Sequence, residues 1–314
     1  MAEPKISVVT VSWNTGPLLK ECLTSVLAAP GVHELVLVNH QNPPEINAEL
    51  RAMAAENSKL VLIETGANLG FSKGCNIGAE QASGDYVLFL NPDTVLGPGV
   101  ASRFKESASI LTRRPWLIGG RILNRDGSEQ RGARRGELTP WIAVVSFLGL
   151  HRIFPGLRGI HREAEKEVGA LHPVPTVSGA AMMMRRDDYL EMGGLDERYF
   201  LHVEDIDICR AVRESGGQVW FEPRANILHY GRTSRISPLT VETHKAAGFV
   251  KYFWKFYPGP LERLLTVMLI PMIYGGLWSR VVVLSVRAQT RAFIHRLHVR
   301  KRYDRRKRAR DRRH

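Results

Sequence analysis

Four short runs of apolar residues divide the first 90 residues into nearly equal parts: ISVVTVS at 6–12, ELVLV at 34–38, LVLIE at 60–64 and YVLFL at 86–90. Each has the length of a strand, and most are too apolar to face water on either side. Residues 15–29 bring Leu18, Leu19, Cys22, Leu23, Val26 and Leu27 to one side of a helix, which Pro30-Gly31 stops. Segments 46–57 and 72–83 also read as helices, the second ending at Gly84-Asp85. Strands alternating with helices at this spacing predict an α/β chain with a parallel sheet and right-handed crossovers. Ligands of such sheets sit at the C-terminal ends of the strands.

The fourth run ends on Asn91-Pro92-Asp93. Pro92 fixes φ and removes a donor, so the strand cannot run on, and the turn presenting Asp93 is stiffened. Asp is also a common turn former, so the tripeptide alone leaves both readings open. In GANLGFSKGCNIG, 66–78, glycine recurs every four residues. This is neither the dinucleotide fingerprint nor a P-loop. Close approach to a phosphate and tight helix–sheet packing both account for it.

Glu204, Asp205 and Asp207 open a helix expected over 205–215. The helix dipole favours negative charge there, and capping is the reading for Asp207. Glu204 and Asp205 follow Tyr199-Phe200-Leu201, and apolar neighbours raise a carboxyl pKa towards that of a general base. Strands are expected over 177–184, 219–221 and 225–228. His229 follows the last of these and bears on chemistry only if it faces Asp93. Residues 113–175, rich in Arg and Gly and containing RGARRGE at 131–137, read as a variable insert or mobile loop with no assigned chemistry.

The 314 residues suffice for one large domain or two ordinary ones, and 44% hydrophobic with 24% charged residues suits a soluble core. Cys22, Cys75 and Cys209 lie far apart, match no zinc spacing and predict a reducing compartment. The N-terminus lacks the basic and apolar regions of a cleaved signal, so none is expected. The net charge of +13 is uneven: from Arg287 onward 13 basic residues face Asp304 and Asp311, leaving +11 on the tail and +2 elsewhere. Nucleic acid is not the expected partner. Tyr303 is the one aromatic within the densest basic run, 300–313, and such binding leaves the acidic and glycine motifs unexplained. Residues 264–278 are apolar for 15 residues, short of the about 20 a spanning helix needs. With Pro271 and Gly275-Gly276 inside it, the segment reads as an interfacial or re-entrant helix. Together with the tail it would dock on an anionic membrane surface. A core helix followed by a solubilising tail is the other reading.

Taken together, VVTVSWN (8–14), ANLGFSKGCNIGAEQASGDYVLFLNPD (67–93), SGAAMMMRR (178–186), GGLDERYFLHVEDIDICRAVRESGG (193–217) and HYGRTS (229–234) resemble inverting glycosyltransferases of family 2. The nearest subgroup is the bacterial rhamnosyltransferase-like enzymes, over roughly residues 5–260. The resemblance implies a GT-A fold over 1–260: a half-Rossmann mixed sheet with flanking helices, continued by an acceptor-binding part. The apolar region 261–286 and the basic tail 287–314 follow as a membrane-associating extension.

On this resemblance Asn91-Pro92-Asp93 is similar to the family's Asp-x-Asp motif, with Asn91 in place of the first acid. Asp93 and His229 are then the metal ligands, and Glu204-Asp205 supplies the catalytic base, Asp205 foremost. Val11, Trp13 and Asn14 would meet the nucleoside, and Asn68, Lys73 and Asn76 would border base, ribose and phosphates. Asn39-His40 stands where the family has Asp-Asn, so Asn39 would read the nucleobase through its amide. Gly231-Arg232 replaces a glycine pair. The implied activity is inverting transfer, dependent on Mg²⁺ or Mn²⁺, from a dTDP- or UDP-sugar to a glycan or lipid-linked acceptor of the cell envelope. Rhamnose is the subgroup's sugar, and the cytoplasmic face of the inner membrane is the expected location. A catalytically inactive binding protein keeping the same fold is the alternative; the intact Asp93, Asp205 and His229 argue against it.

Overall fold

The computed structural model describes residues 3–154, 156–162, 169–231 and 236–311. The first half follows the expected alternation: β1 (Ile6–Ser12), α1 (Leu18–Leu27), β2 (Val32–Asn39), α2 (Pro44–Glu56), β3 (Leu60–Glu64), α3 (Phe71–Gln81) and β4 (Tyr86–Leu90). β1 is buried at every position and pairs in parallel with β2 and with β4, while β2 pairs in parallel with β3. The glycine repeat is explained in part by packing. A Cβ on Gly74 would lie 2.7 Å from Val11, and one on Gly78 would lie 2.4 Å from Val9. Hence α3 can rest directly on β1.

Then come β5 (Thr94–Leu96), α4 (Val100–Ser109), β6 (Trp116–Leu123), β7 (Arg134–Arg135), α5 (Pro140–Phe147), a 3₁₀ turn (Leu150–Arg152), β8 (His172–Pro173), β9 (Thr176–Val177), β10 (Ala181–Arg185), α6 (Arg186–Glu191), α7 (Glu204–Glu214), β11 (Gln218–His229), α8 (Pro238–Phe256) and α9 (Pro260–Asp311). The main sheet runs β3-β2-β1-β4-β10-β6-β11-β5, with β8 on β11 and with β7-β9 as a separate pair. β10 is antiparallel to both β4 and β6, so the sheet is mixed rather than wholly parallel.

The largest correction concerns 113–175. Far from being all variable loop, it contributes β6 to the sheet interior, with Trp116, Leu117, Ile118 and Ile122 buried. Burying such side chains stabilises by about 1.5–3 kcal/mol each. Gly119-Gly120 disguised the strand. A Cβ at either position would come within 2.3 Å of Val177 or Ile227, so both glycines are demanded by close packing. Segment 177–184 is divided, since 178–180 breaks between β9 and β10. The two short runs near 220 are one strand, β11, with a register shift between Glu222 and Asn226.

One core cluster joins α1 and α4 to the sheet through Cys22, Leu23, Leu88 and Phe104. A second joins α3, α6 and α7 through Cys75, Phe89, Tyr189 and Cys209. A third lies among α5, α7, α8 and α9, including Ala143, Ile206, Phe249, Tyr252, Ile273 and Leu277. All three cysteines are free and buried. α9 runs unbroken through Pro271 and Gly275-Gly276, joining the apolar segment and most of the basic tail in one helix. Its first part, Pro260–Val283, is long and apolar enough to cross a membrane by length and composition, with 24% buried against the protein. Arg232 lies outside the described residues.

Candidate active site

Two carboxylate-bearing loops lie close together beyond the C-terminal end of the central strand β4. The first follows β4. Asn91 N–H donates to the Ala180 carbonyl at 3.0 Å, and Asp93 is buried just beyond it. The β5–β11 ladder pairs Thr94 with His229, and Tyr230 N–H donates to the Asp93 carbonyl at 3.0 Å. That register sets His229 Nε2 3.1 Å from Asp93 Oδ1, while Asn91 Nδ2 lies 3.5 Å from the same nitrogen. The condition placed on His229, that it face Asp93, is met.

Gln130, which the sequence reading passed over, completes this arrangement. Gln130 Oε1 is 2.6 Å from His229 Nδ1. The Gln130 amide donates to the His229 carbonyl and to Asn124 Oδ1, both at 3.2 Å, which fixes its orientation. Nδ1 is therefore the protonated nitrogen, and in a neutral ring Nε2 presents a lone pair towards the Asp93 carboxylate. Two electron-pair donors in contact call for a cation or a proton between them, so the pair fits a divalent metal. Among the described residues no group of three or more His, Cys, Asp or Glu could hold a metal by itself. A cation here would need further ligands from a phosphate or water, as Mg²⁺ and Mn²⁺ commonly have. The available signal for Gln130 was Asp126-Gly127, a hairpin turn sequence that folds the chain back on β6, where Gln130 N–H donates to Ile122 at 2.7 Å.

The second loop opens α7. His202 and Val203 both adopt left-handed backbone, φ 69° and 77°, which is rare for a β-branched residue. The turn is held by α8. A Cβ on Gly248 would stand 2.9 Å from Val203 Cγ2 and 3.1 Å from the His202 carbonyl. It delivers Glu204 and Asp205 side by side. Asp205 Oδ2 accepts from Gly179 N–H at 3.0 Å and is ion-paired with Arg135. Gly179 adjoins Ala180, the partner of Asn91, so the two loops are neighbours. Arg135 lies in the RGARRGE stretch to which no chemistry was assigned.

Burial pushes the Asp205 carboxyl up, but the Arg135 guanidinium and the Gly179 amide outweigh it and hold the group below the usual range. Burial, and then the charge of Asp205, pushes Glu204 the other way. Glu204 Oε2 is buried without a hydrogen-bond partner. Adjacent carboxyls driven apart in this manner suit one ionised and one protonated role.

Asp207 is not a cap. Its buried carboxylate accepts from Tyr199 Oη at 2.9 Å and from Lys255 Nζ at 2.7 Å, tying α7 to α8.

The residues expected to meet the nucleoside divide. Val11 is buried in β1; Trp13 is half-buried beyond its end; Asn14, at φ 48°, donates its N–H to Asn42 Oδ1 at 2.7 Å. Asn39 is buried, giving Nδ2 to Asn47 at 2.8 Å and receiving Asn42 Nδ2 at 2.7 Å. Its amide ties the end of β2 to Asn47 of α2 and to Asn42 in the loop between them, and Asn42 in turn donates to Ser12 Oγ of β1 at 2.7 Å. Asn76 is likewise turned inward, held by Leu195 through both backbone groups at 2.9 Å and by Tyr189 Oη at 2.5 Å. It anchors the 193–195 turn. Asn68 receives Gly70 N–H at 3.0 Å, and Lys73 is exposed, 3.7 Å from Glu197.

The family model described as Glycosyl transferase family 2 matches residues 7–191. The N-acetylglucosaminyl-diphospho-decaprenol L-rhamnosyltransferase of Mycobacterium tuberculosis is 28% identical over 236 residues, covering 72% of this chain and 76% of that protein. The rhamnosyltransferase WbbL of Escherichia coli K12 is 24% identical over 176 residues, 53% of this chain and 62% of the other. Among solved structures, GalNAc-T7 with UDP, GalNAc and Mn²⁺ is similar with a TM-score of 0.59 at 17% identity, covering 81% of this chain and 49% of that one. The mannosyltransferase PcManGT of Pyrobaculum calidifontis, solved with GDP-Man and Mn²⁺, has a TM-score of 0.54 at 14% identity, covering 93% and 81%. At these identities the structural likeness is one of fold.

Proposed function

Because the chain belongs to glycosyl transferase family 2 and is a glycosyltransferase of GT-A fold, we propose that it moves a sugar, with inversion, from a nucleoside diphosphate to an acceptor hydroxyl. The observation that carries this reading is the 3.1 Å approach of His229 Nε2 to Asp93 Oδ1, at the strand ends and beside the loop bearing Asp205. Asp93 and His229 would hold a divalent cation, and the nitrogen ligand favours Mn²⁺ over Mg²⁺. The cation, when bound, supplies positive charge for the leaving diphosphate.

The protein's own residues do the rest. Asp205, ionised at neutral pH, accepts the proton of the acceptor hydroxyl as its oxygen bonds the anomeric carbon and the carbon–phosphate oxygen bond breaks. Such general-base help is typically worth about 10²–10⁴ in rate. Arg135 holds the carboxylate in place until the hydroxyl arrives. A single base acting directly on the acceptor hydroxyl accords with inversion.

The names of the relatives support rhamnose as the sugar, and the mycobacterial one supports a diphosphate-linked lipid acceptor. Such an acceptor accords with docking at an anionic membrane surface, at the cytoplasmic face, through α9 and the +11 tail. Each basic residue near that surface contributes about 1 kcal/mol. Since Asn39 is committed within the protein, the nucleobase would be read by other groups of the β1 and β2 loops.

Calorimetric titration with UDP, dTDP, GDP and ADP, each in Mn²⁺ and in EDTA, tests the reading. Metal-dependent binding of a pyrimidine diphosphate that is lost in Asp93→Ala is expected. Equal binding in EDTA, or an unaffected variant, would overturn the metal site.

A further inference from the structure

The excursion between β7 and His161 offers a surface to which the transfer reading gives no role. Its two ends are clasped together. Gly136 N–H donates to the Ile160 carbonyl at 2.6 Å, Arg162 N–H donates to the Arg134 carbonyl at 3.3 Å, and Arg135 bridges to His161. The stem therefore contains Arg135, the partner of Asp205.

Beyond the stem, Thr139 caps α5 by accepting Ile142 N–H at 3.1 Å. One side of α5 is packed. Ala143 and Val145 are fully buried, and the Phe147 ring meets Phe249 edge-on at 5.5 Å. Trp141 on α5 is 59% exposed, and beyond the helix Leu148 is 54%, Ile153 67% and Phe154 54% exposed. Between Glu137 and Glu163 the sequence has no acid: 138–150 contain no charged side chain, and 151–162, HRIFPGLRGIHR, contain three arginines; the acids Glu163, Glu165 and Glu167 that follow lie outside the described residues. Large apolar side chains in the open, with arginines interleaved among them in sequence, match an anionic bilayer, where apolar groups enter the acyl boundary and arginines meet phosphates. α5 shares its core cluster with α9, whose Leu264, Val267 and Met268 are also exposed.

We propose that residues 141–154 form a second membrane contact, distinct from the basic tail, seating Trp141, Leu148, Ile153 and Phe154 in an anionic lipid surface. This rests on the membrane part of the proposed function. Because its stem carries Arg135, the contact sets the distance from the bilayer to Asp205 and so presents a lipid-linked hydroxyl to the base.

The full chain carrying Ile153→Cys or Phe154→Cys can be labelled with an environment-sensitive fluorophore, since the three native cysteines are buried. With phosphatidylglycerol vesicles, the expected result is a blue shift and quenching by lipids carrying a quencher in the acyl chain. Phosphatidylcholine should give neither. The double variant Ile153→Asp/Phe154→Asp should bind those vesicles about tenfold more weakly or worse, with Mn²⁺-dependent nucleotide binding unchanged. Three results would overturn the proposal: no vesicle binding, vesicle binding with an unquenched label and an unaffected double variant, or a lipid-free dimer that the double variant abolishes. Absent nucleotide binding with the label still quenched would remove the transfer reading and support this contact.

Discussion

Gln130 and His229, 99 residues apart in sequence, are joined by a reciprocal pair of hydrogen bonds, side chain to ring at 2.6 Å and amide to backbone carbonyl at 3.2 Å. The pair keeps the imidazole from turning and leaves Nε2 for Asp93. Outer groups that orient a metal-ligating histidine typically contribute 10–100-fold to metal affinity. Gln130→Leu should therefore weaken Mn²⁺-dependent nucleoside diphosphate binding by about 10–100-fold, read by calorimetry or by the Mn²⁺ electron resonance signal. Gln130→Glu, which keeps the acceptor, should retain more of that affinity. Equal affinities in all three proteins would refute the orienting role.

Arg135 acts on Asp205 in the opposite sense to burial. Removing its charge in Arg135→Gln leaves burial as the dominant influence, so the Asp205 pKa rises. A base must be deprotonated, and activity falls as pH drops through its pKa. The acid limb of kcat/KM should therefore move to higher pH. A profile identical to wild type would mean that Asp205 is not the titrating base.

Gly248 leaves room for the strained turn at His202 and Val203. In Gly248→Ala the new methyl meets Val203 and the His202 carbonyl, both of which belong to that turn. Stability should fall by about 1–3 kcal/mol from overpacking. Turnover should fall by about tenfold or more, since a small displacement of a catalytic group is costly. Nucleotide binding at Asp93 should persist. Calorimetry and initial rates on the same preparation check this, and a variant as active as wild type would show that the turn tolerates the shift.

Lys255 is the cation that accompanies buried Asp207. In Lys255→Met the carboxylate keeps only the Tyr199 hydroxyl, and stranding one charge of a buried pair costs about 3 kcal/mol or more. Urea unfolding at neutral pH should show that loss. The double variant Lys255→Met/Asp207→Asn should recover part of it, because the unpaired charge is then gone.

How far the sequence could be read depended on whether each signal was local. The period of the apolar residues located β1, β3, β4 and α3 to within a residue or two, and Pro92 marked where β4 must stop. β6 escaped because its two central glycines look like a loop, while the reason for them lies on Val177 and Ile227. The carboxylates and His229 were picked out by residue type and by resemblance. Gln130 and Arg135 were not, since an amide and an arginine in a polar stretch carry no local signature.

By itself the sequence determined the strand–helix alternation, the carboxylates at strand and helix ends, and the family. These follow from side-chain periodicity and backbone chemistry within a few residues. Only the tertiary structure decided which polar groups face one another. Strand register set His229 on Asp93, and the β7–β9 pair set Arg135 against Asp205, 70 residues away. Asn39 and Asn76, which resemblance assigned to the donor, were drawn inward because each found buried partners that fill its amide. A polar side chain takes the hydrogen bonds that folding brings within reach, and its neighbours along the chain do not determine which those are.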